Sequence, residues 1–255
     1  MNLERITDFL RAIGFPMKPL KIIDSMETLA TSAESIGLLP FFSNNVKGLS
    51  VEEMCSPGML FGGNYEEGCW EWKGPVIRRR TIAYGKFFRR KAGFVSLDLL
   101  PDFLNYRRYV YPVKEGGTDE MLLEIIREND SLTSTELKSL IFGQYKRTMW
   151  DSVPEIENQS NHSSKNRGGR KSLESPLQRL QMGGWILISD FQYKLTKTGD
   201  RYGWGVARYS TPEIIFGGIA ETTRRSPQDS LDHIVKIMKE RWKSGSRKSF
   251  ENLLK

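Results

Sequence analysis

The sequence predicts a helix-rich α+β fold, and three observations predict it. Apolar residues recur at offsets of three and four through most of the chain. Capping signals stand where those stripes begin. Short β-branched and aromatic runs follow glycines between them. At roughly 150 residues per domain, a chain of 255 residues suits one large domain or two modest ones. Its 38% hydrophobic and 11% aromatic content is that of a globular chain and excludes wholesale disorder. Two cysteines, Cys55 and Cys69, are too few for a disulfide framework or a four-thiolate metal site. The opening MNLERITDFLRAIGF carries Glu4 and Asp8 and lacks the apolar core of a secretion signal. No run approaches the ~18 apolar residues of a membrane span. The expectation is a cytoplasmic protein with no membrane partner.

The elements follow in chain order. Leu3, Ile6, Phe9, Leu10 and Ile13 form one helix face, stopped by Gly14 and Pro16. A second helix is expected between Ser25 and Leu39, ending at Pro40. Ser50-Val-Glu-Glu53 is a capping box that opens a short helix. From Gly58 to Val95, glycines, aromatics and β-branched runs read as loops and strands. Leu97 to Tyr109 returns to helix, with Leu99, Leu100, Phe103 and Leu104 facing inward.

In the second half, Thr118 caps a helix whose inward residues are Met121, Leu122, Ile125 and Ile126. Thr133-Ser-Thr-Glu136 is another capping box and opens a helix with Leu137, Leu140 and Ile141. After a polar loop at about 143–172, Ser175-Pro176 places proline at the start of a third helix. That helix runs through Leu177 and Leu180 to Gly183-Gly184. Strands are expected at Trp185 to Ser189 and Tyr193 to Leu195, joined by a turn at Asp190, and again at Gly205 to Tyr209. Helix, helix, helix, hairpin is the order of a winged helix, whose third helix enters the major groove in DNA-binding examples. Such units also contact proteins, so fold alone does not specify DNA. Ser226-Pro227 then starts an amphipathic helix with Leu231, Ile234, Val235 and Met238 on one stripe. The basic tail after Arg241 reads as loosely attached. The chain thus divides into an N-terminal region at 1–112 with a basic hairpin near 76–91, a winged-helix domain at 113–225, and a C-terminal helix and tail at 226–255.

The net charge of +7 is concentrated rather than spread. Arg78, Arg79, Arg80, Lys86, Arg89, Arg90 and Lys91 lie within residues 74–91, where there is no carboxylate. Tyr84, Phe87 and Phe88 are interleaved among them. Cations that meet phosphates beside rings that stack on bases suit nucleic acid. The structural alternative is a hairpin with buried rings and solvated arginines. A second basic run, Lys165, Arg167, Arg170 and Lys171, sits in the polar loop.

Chemistry is sparsely signalled. His162 and His233 are the only histidines, and His233 reads as a surface or internally satisfied group. No metal-ligand spacing, phosphate-cradling glycine loop or nucleophile elbow is present, so no metal or cofactor is expected. Glu71 is the most suggestive acid, lying between Trp70 and Trp72 in CWEWKGP. Such a carboxylate is suited to acid/base work or to a flipped base edge, with the two tryptophans and Tyr84 as stacking candidates. Its structural alternative is a strand with both tryptophans inward and Glu71 in solvent or paired with an arginine.

The segment CWEWKGPVI…KAGFVSLDLLPDFLNYRR resembles the AlkZ/YcaQ group of bacterial winged-helix DNA glycosylases, and is most similar to the shorter AlkZ-related proteins. GLLPFFSNN at 37–45 and GWGVARYSTPEI at 203–214 are similar to that group as well. The resemblance implies tandem winged-helix units around a concave surface for double-stranded DNA, and base excision without metal or cofactor. It aligns Glu71 with the glutamate of the family's Phe-Glu-Tyr stretch. It places the family's catalytic glutamine pair near Met26 to Thr28, yet no glutamine precedes Gln144 here. Glycosylase activity therefore does not carry over. The expectation is a DNA-binding protein related to these enzymes, in which Arg179 on the third helix reaches a groove and Lys194 and Arg208 on the wing touch the backbone. The alternatives are base excision with Glu71, Asp98 or Asp102 in place of the lost pair, and a protein-interaction module.

Overall fold

The structure is a computed structural model, and it describes residues 23–62, 67–143, 173–199, 201–221 and 223–255. The helix expected at residues 3–13 and the basic run from Lys165 to Lys171, with His162, lie outside the described residues.

Helix α1 (Met26–Ile36) starts at Ser25, whose hydroxyl accepts from the Thr28 amide at 3.2 Å while the Thr28 hydroxyl accepts from the Ser25 amide at 3.0 Å. These two bonds satisfy orphan amides of the first turn. Leu29, Ala30, Ala33 and Ile36 form its buried face. The helix does not continue to Leu39 as expected. Gly37, at φ 100, ends it, and Leu38–Pro40 forms strand β1. Helix α2 (Val51–Met54) begins as its capping box predicts, with Ser50 accepting from the Glu53 amide.

The stretch expected to be strand around Glu71 is instead helix α3 (Cys69–Arg78). Cys69, Lys73, Val76 and Ile77 share its buried face at offsets of 0, 4, 7 and 8. Strands β2 (Ile82–Phe88) and β3 (Lys91–Ser96) follow as a hairpin, and β1 pairs antiparallel with β3, giving the order β1-β3-β2. Helix α4 (Leu100–Val110) buries Leu100, Phe103 and Leu104 as predicted.

The second half repeats this order. Helix α5 (Thr118–Glu128) leads to the short strand β4 (Leu132–Thr133), helices α6 (Ser134–Gly143) and α7 (Glu174–Met182), and strands β5 (Leu187–Leu195) and β6 (Arg201–Ser210). The sheet order is β4-β6-β5. Each half therefore runs helix, strand, helix, helix, strand, strand, with its third strand central. The Thr133–Glu136 box forms as expected, the Thr133 amide donating to Glu136 at 2.7 Å. Thr118 does not cap α5. Gly117 precedes the helix, and Thr118 is its buried first residue. Asp190 does not turn the chain either. It marks a bulge within β5, which is one continuous strand, and it pairs with Arg78.

Helix α8 (Pro212–Phe216) and a 3₁₀ turn (Gly217–Glu221) lead to α9 (Pro227–Arg241), capped by Ser226. The C-terminal tail is not loose. Helix α10 (Arg247–Leu253) buries Phe250 and Leu253, and Leu254 is buried behind it. Together with Leu231, Ile234, Val235 and Met238, these residues join the core of the first half. A smaller core contains Leu122, Ile126, Leu137, Ile141, Leu177, Leu180 and Ile186. Gly184 permits the α7–β5 connection to pass over α4. Its φ is +68, and a Cβ there would meet Leu104 at 2.6 Å.

The β2–β3 turn consists of Arg89 at φ 50 and Arg90 at φ 67, with Phe88 and Lys91 paired across it. Two-residue turns with both φ positive favour Asn-Gly, because a Cβ is strained there. Arg90→Gly should therefore stabilise the protein by about 1 kcal/mol, read as a higher midpoint in urea unfolding. An unchanged or lowered midpoint would show that the turn carries no such strain.

Candidate nucleic-acid interface

The run 74–91 is not all hairpin as expected near 76–91: helix α3 continues to Arg78 and the hairpin begins at Ile82, and these elements sort its interleaved residues. Tyr84, Phe87 and Phe88 are buried in the first core, and burial raises the Tyr84 phenol far above its ordinary range. Tyr84 meets Phe94 and Phe191 rather than solvent, so its ring is covered in this conformation. Trp70 and Trp72 are half-buried and pack against the same core.

The cations divide into spent and available groups. Arg78 pairs with Asp190 at 2.9 Å and Arg79 with Glu27 at 2.8 Å. That arginine holds the Glu27 carboxyl below its ordinary range. Arg80, at φ 56, donates to the Ile215 carbonyl at 3.4 Å. Lys91 reaches the Ser43 carbonyl at 3.4 Å, and the Lys86 amide donates to the Gln181 side chain at 3.1 Å. Arg89 and Arg90 are exposed at the tip, and neither makes an ion pair among the described residues.

The second half shows the same division. Arg179 on α7 grips Asp119 with Nε at 2.9 Å and Nη2 at 2.6 Å, a bidentate fork that occupies the group expected in a groove. Both residues line a shallow cleft of about 190 Å³ with Tyr111, Lys114 and Trp185. Arg208 is held by Glu136, by Gln192 at 2.9 Å and by the Ser131 carbonyl at 2.6 Å. Lys194 is exposed.

Glu71 occupies the third position of α3, where its Oε2 accepts from the Gly68 amide at 3.2 Å. This bond caps the helix, and the carboxylate also favours the positive end of the helix dipole. At the place where the resemblance puts a glutamine pair, Glu27 is engaged by Arg79 and Thr28 by the start of α1. Asp98 is held by Arg241 and Ser96. Asp102 is buried and accepts from Thr223 at 3.1 Å, Arg225 at 2.9 Å and Ser230 at 2.8 Å. His233 Nδ1 lies 2.8 Å from the same carboxylate. These contacts fasten α9 to α4. His233 is thus internally satisfied, as expected.

Two buried groups have strongly displaced proton affinities. Cys69 lies against Cys55, and burial first, then that neighbour, push its thiol up to about 12. Such a thiol is no nucleophile at neutral pH. Lys73 is 3% exposed, with its ammonium 3.8 Å from the Trp70 ring centroid and 4.5 Å from that of Phe191, and it donates to the Trp70 carbonyl. Burial pulls it down to about 8 from its ordinary 10.5, against the pull of Glu71. The unfolded chain therefore binds one more proton between about pH 8 and 10.5, so this residue's contribution to stability rises with pH through that window. Below pH 8 the full penalty applies, on the order of 3 kcal/mol. Lys73→Met should stabilise the protein at pH 7 and remove that alkaline rise, read as the difference in unfolding free energy between wild type and variant at pH 7 and pH 10. A variant no more stable than wild type at pH 7 would contradict the assignment.

Sequence reasoning missed an exposed aromatic group on the second hairpin. Trp204 and Tyr202 on β6 and Phe61 before α3 are largely exposed, and Trp204 meets Trp70 edge-on at 6.0 Å. The Gly-Trp-Gly at 203–205 was its only sequence signal. Among the described residues, no three His, Cys, Asp or Glu side chains are placed to hold a metal ion, and no helix is long and apolar enough to cross a membrane.

These features define an α+β protein with two helix-and-sheet units of like element order, whose first hairpin ends in two exposed arginines that make no ion pair among the described residues. The sequence model of the AlkZ-related family matches residues 23–255, and the chain belongs to that family. No curated protein matches it. Among solved structures it is similar to the Streptomyces sahachiroi DNA glycosylase AlkZ, at 11% identity and a TM-score of 0.47. The match covers 93% of this chain and 62% of the other, so this chain spans less than two thirds of that protein's length.

Proposed function

We propose that the chain is a DNA-binding protein of tandem winged-helix units, one within 1–112 and one within 113–225, that acts on damaged double-stranded DNA. The observation that carries this reading is the Arg89–Arg90 turn. Two guanidinium groups with no ion-pair partner among the described residues stand at a hairpin tip in a backbone conformation that disfavours them. Strain of this kind persists where function requires it. Phosphates are the partners that two exposed, unspent arginines suit best. The repeated element order in both halves and membership in the AlkZ-related family support this reading. Lys86 and Lys91 on the same hairpin extend the cationic edge, with Lys194 on the second hairpin as a further contact.

Fluorescence anisotropy with undamaged and alkylated duplexes of equal length tests both parts. The expected result is binding to each, and tighter binding to the alkylated duplex. Equal affinities would remove the damage-specific part. Absence of binding to either would remove the reading altogether.

A further inference from the structure

The β5–β6 hairpin presents exposed aromatic rings. Trp204 is 71% exposed, Phe61 52% and Tyr202 51%, an unusual display for side chains of this size. The rings are not loose. Trp204 meets Trp70 at 6.0 Å and 82°, Trp70 meets Phe61 at 5.7 Å, and Phe41 fixes Trp70 from the core side at 5.3 Å and 86°. Gly203 and Gly205 flank Trp204. With 71% of its surface exposed, the Trp204 indole is open to a planar visitor.

Cations lie on the same hairpin. Lys194 pairs in register with Tyr202, and Arg201 pairs with Leu195 and lies over the Tyr193 ring at 4.9 Å. Lys197 is exposed at the hairpin end. Glu71 and Glu67 act on the Tyr193 phenol together with Arg201 and Arg78, and a carboxylate does not repel an uncharged base. Rings flanked by cations match a nucleotide, whose base is planar and whose phosphate is anionic. An aliphatic protein partner would use neither feature. In an intact duplex the base faces are covered by their neighbours, so only an unpaired base offers a face to stack.

We propose that Trp204, backed by Trp70 and extended by Phe61 and Tyr202, is a stacking platform for unpaired nucleobases in otherwise double-stranded DNA. The proposal rests on the DNA-binding reading and adds the form of DNA preferred. One stacked base supplies about tenfold in affinity or more.

The test uses the full chain and two probes of equal length, an intact duplex and the same duplex with a single-base bulge carrying 2-aminopurine. The wild type is expected to bind the bulged probe about tenfold tighter or more, with quenching of the 2-aminopurine. Trp204→Ala is expected to lose the preference and the quenching while keeping its affinity for the intact duplex. Trp204→Phe should retain part of both. Equal wild-type affinity for the two probes, or a preference that survives Trp204→Ala, would overturn the platform and leave the DNA-binding reading standing. No binding to either probe would overturn both.

Discussion

Arg107→Met is expected to lower the unfolding free energy by about 4 kcal/mol or more, from the loss of charge-assisted hydrogen bonds and the unsatisfied carbonyls left behind. Arg107 is completely buried in α4. Its Nε donates to the Met182 carbonyl at 2.6 Å, Nη2 to that of Phe87 at 3.1 Å, and Nη1 to that of Leu254. The guanidinium also lies over the Tyr111 ring at 4.5 Å. Burial pulls its pKa down to about 10, so the group stays charged at neutral pH. One side chain therefore ties the first hairpin, the end of α7 and the C-terminus together. Methionine fills much of the volume and leaves three buried carbonyls without donors. Against a typical total of about 5–15 kcal/mol, the variant should be largely unfolded or sharply less stable in urea. Arg107→Lys should fall between, since one ammonium cannot span three acceptors. A change under about 1 kcal/mol, below the worth of a single buried bond, would show that Arg107 is no hub.

The second large effect concerns binding. Removing Arg89 and Arg90 together, as Arg89→Ala with Arg90→Ala, should weaken duplex binding about thirtyfold at 0.15 M salt, because each phosphate contact adds roughly 0.9 to the salt slope. Fold stability should not fall, because both side chains are exposed and both positions are strained for any residue with a Cβ. The same change at Arg179 and Arg208 should cost stability first, because these arginines are committed to Asp119 and Glu136. Urea unfolding and anisotropy on the same samples separate the two outcomes. Equal affinity of wild type and the Arg89/Arg90 variant would exclude the tip as a phosphate contact.

Much of the fold was legible because its signals are local. Ser50, Thr133 and Ser226 each act on an amide three residues away, and a cap needs no knowledge of the rest of the chain. Helix α3 was hidden by Gly74 and Pro75, both poor helix formers, although Cys69, Val76 and Ile77 keep helical spacing. Tertiary packing of that face outweighed propensity. The charge run at 74–91 was visible, but its sorting was not. Arg78 is neutralised by Asp190, 112 residues away, and the tail is held by Arg107, 147 residues from its partner Leu254. Such pairings follow from the assembled fold and from no local pattern. Trp204 fell just outside the strand expected at Gly205 to Tyr209, which runs from Arg201 to Ser210, and its exposure on a hairpin can be read only once its neighbours are known.

The central claim is a DNA interface built from unspent cations, and its most direct measurement is the salt dependence of duplex affinity. The logarithm of affinity should fall linearly with the logarithm of salt concentration, and the slope should shrink by about two when Arg89 and Arg90 are removed. An affinity that stays flat between low and moderate salt, or a slope unchanged in the variant, would contradict it.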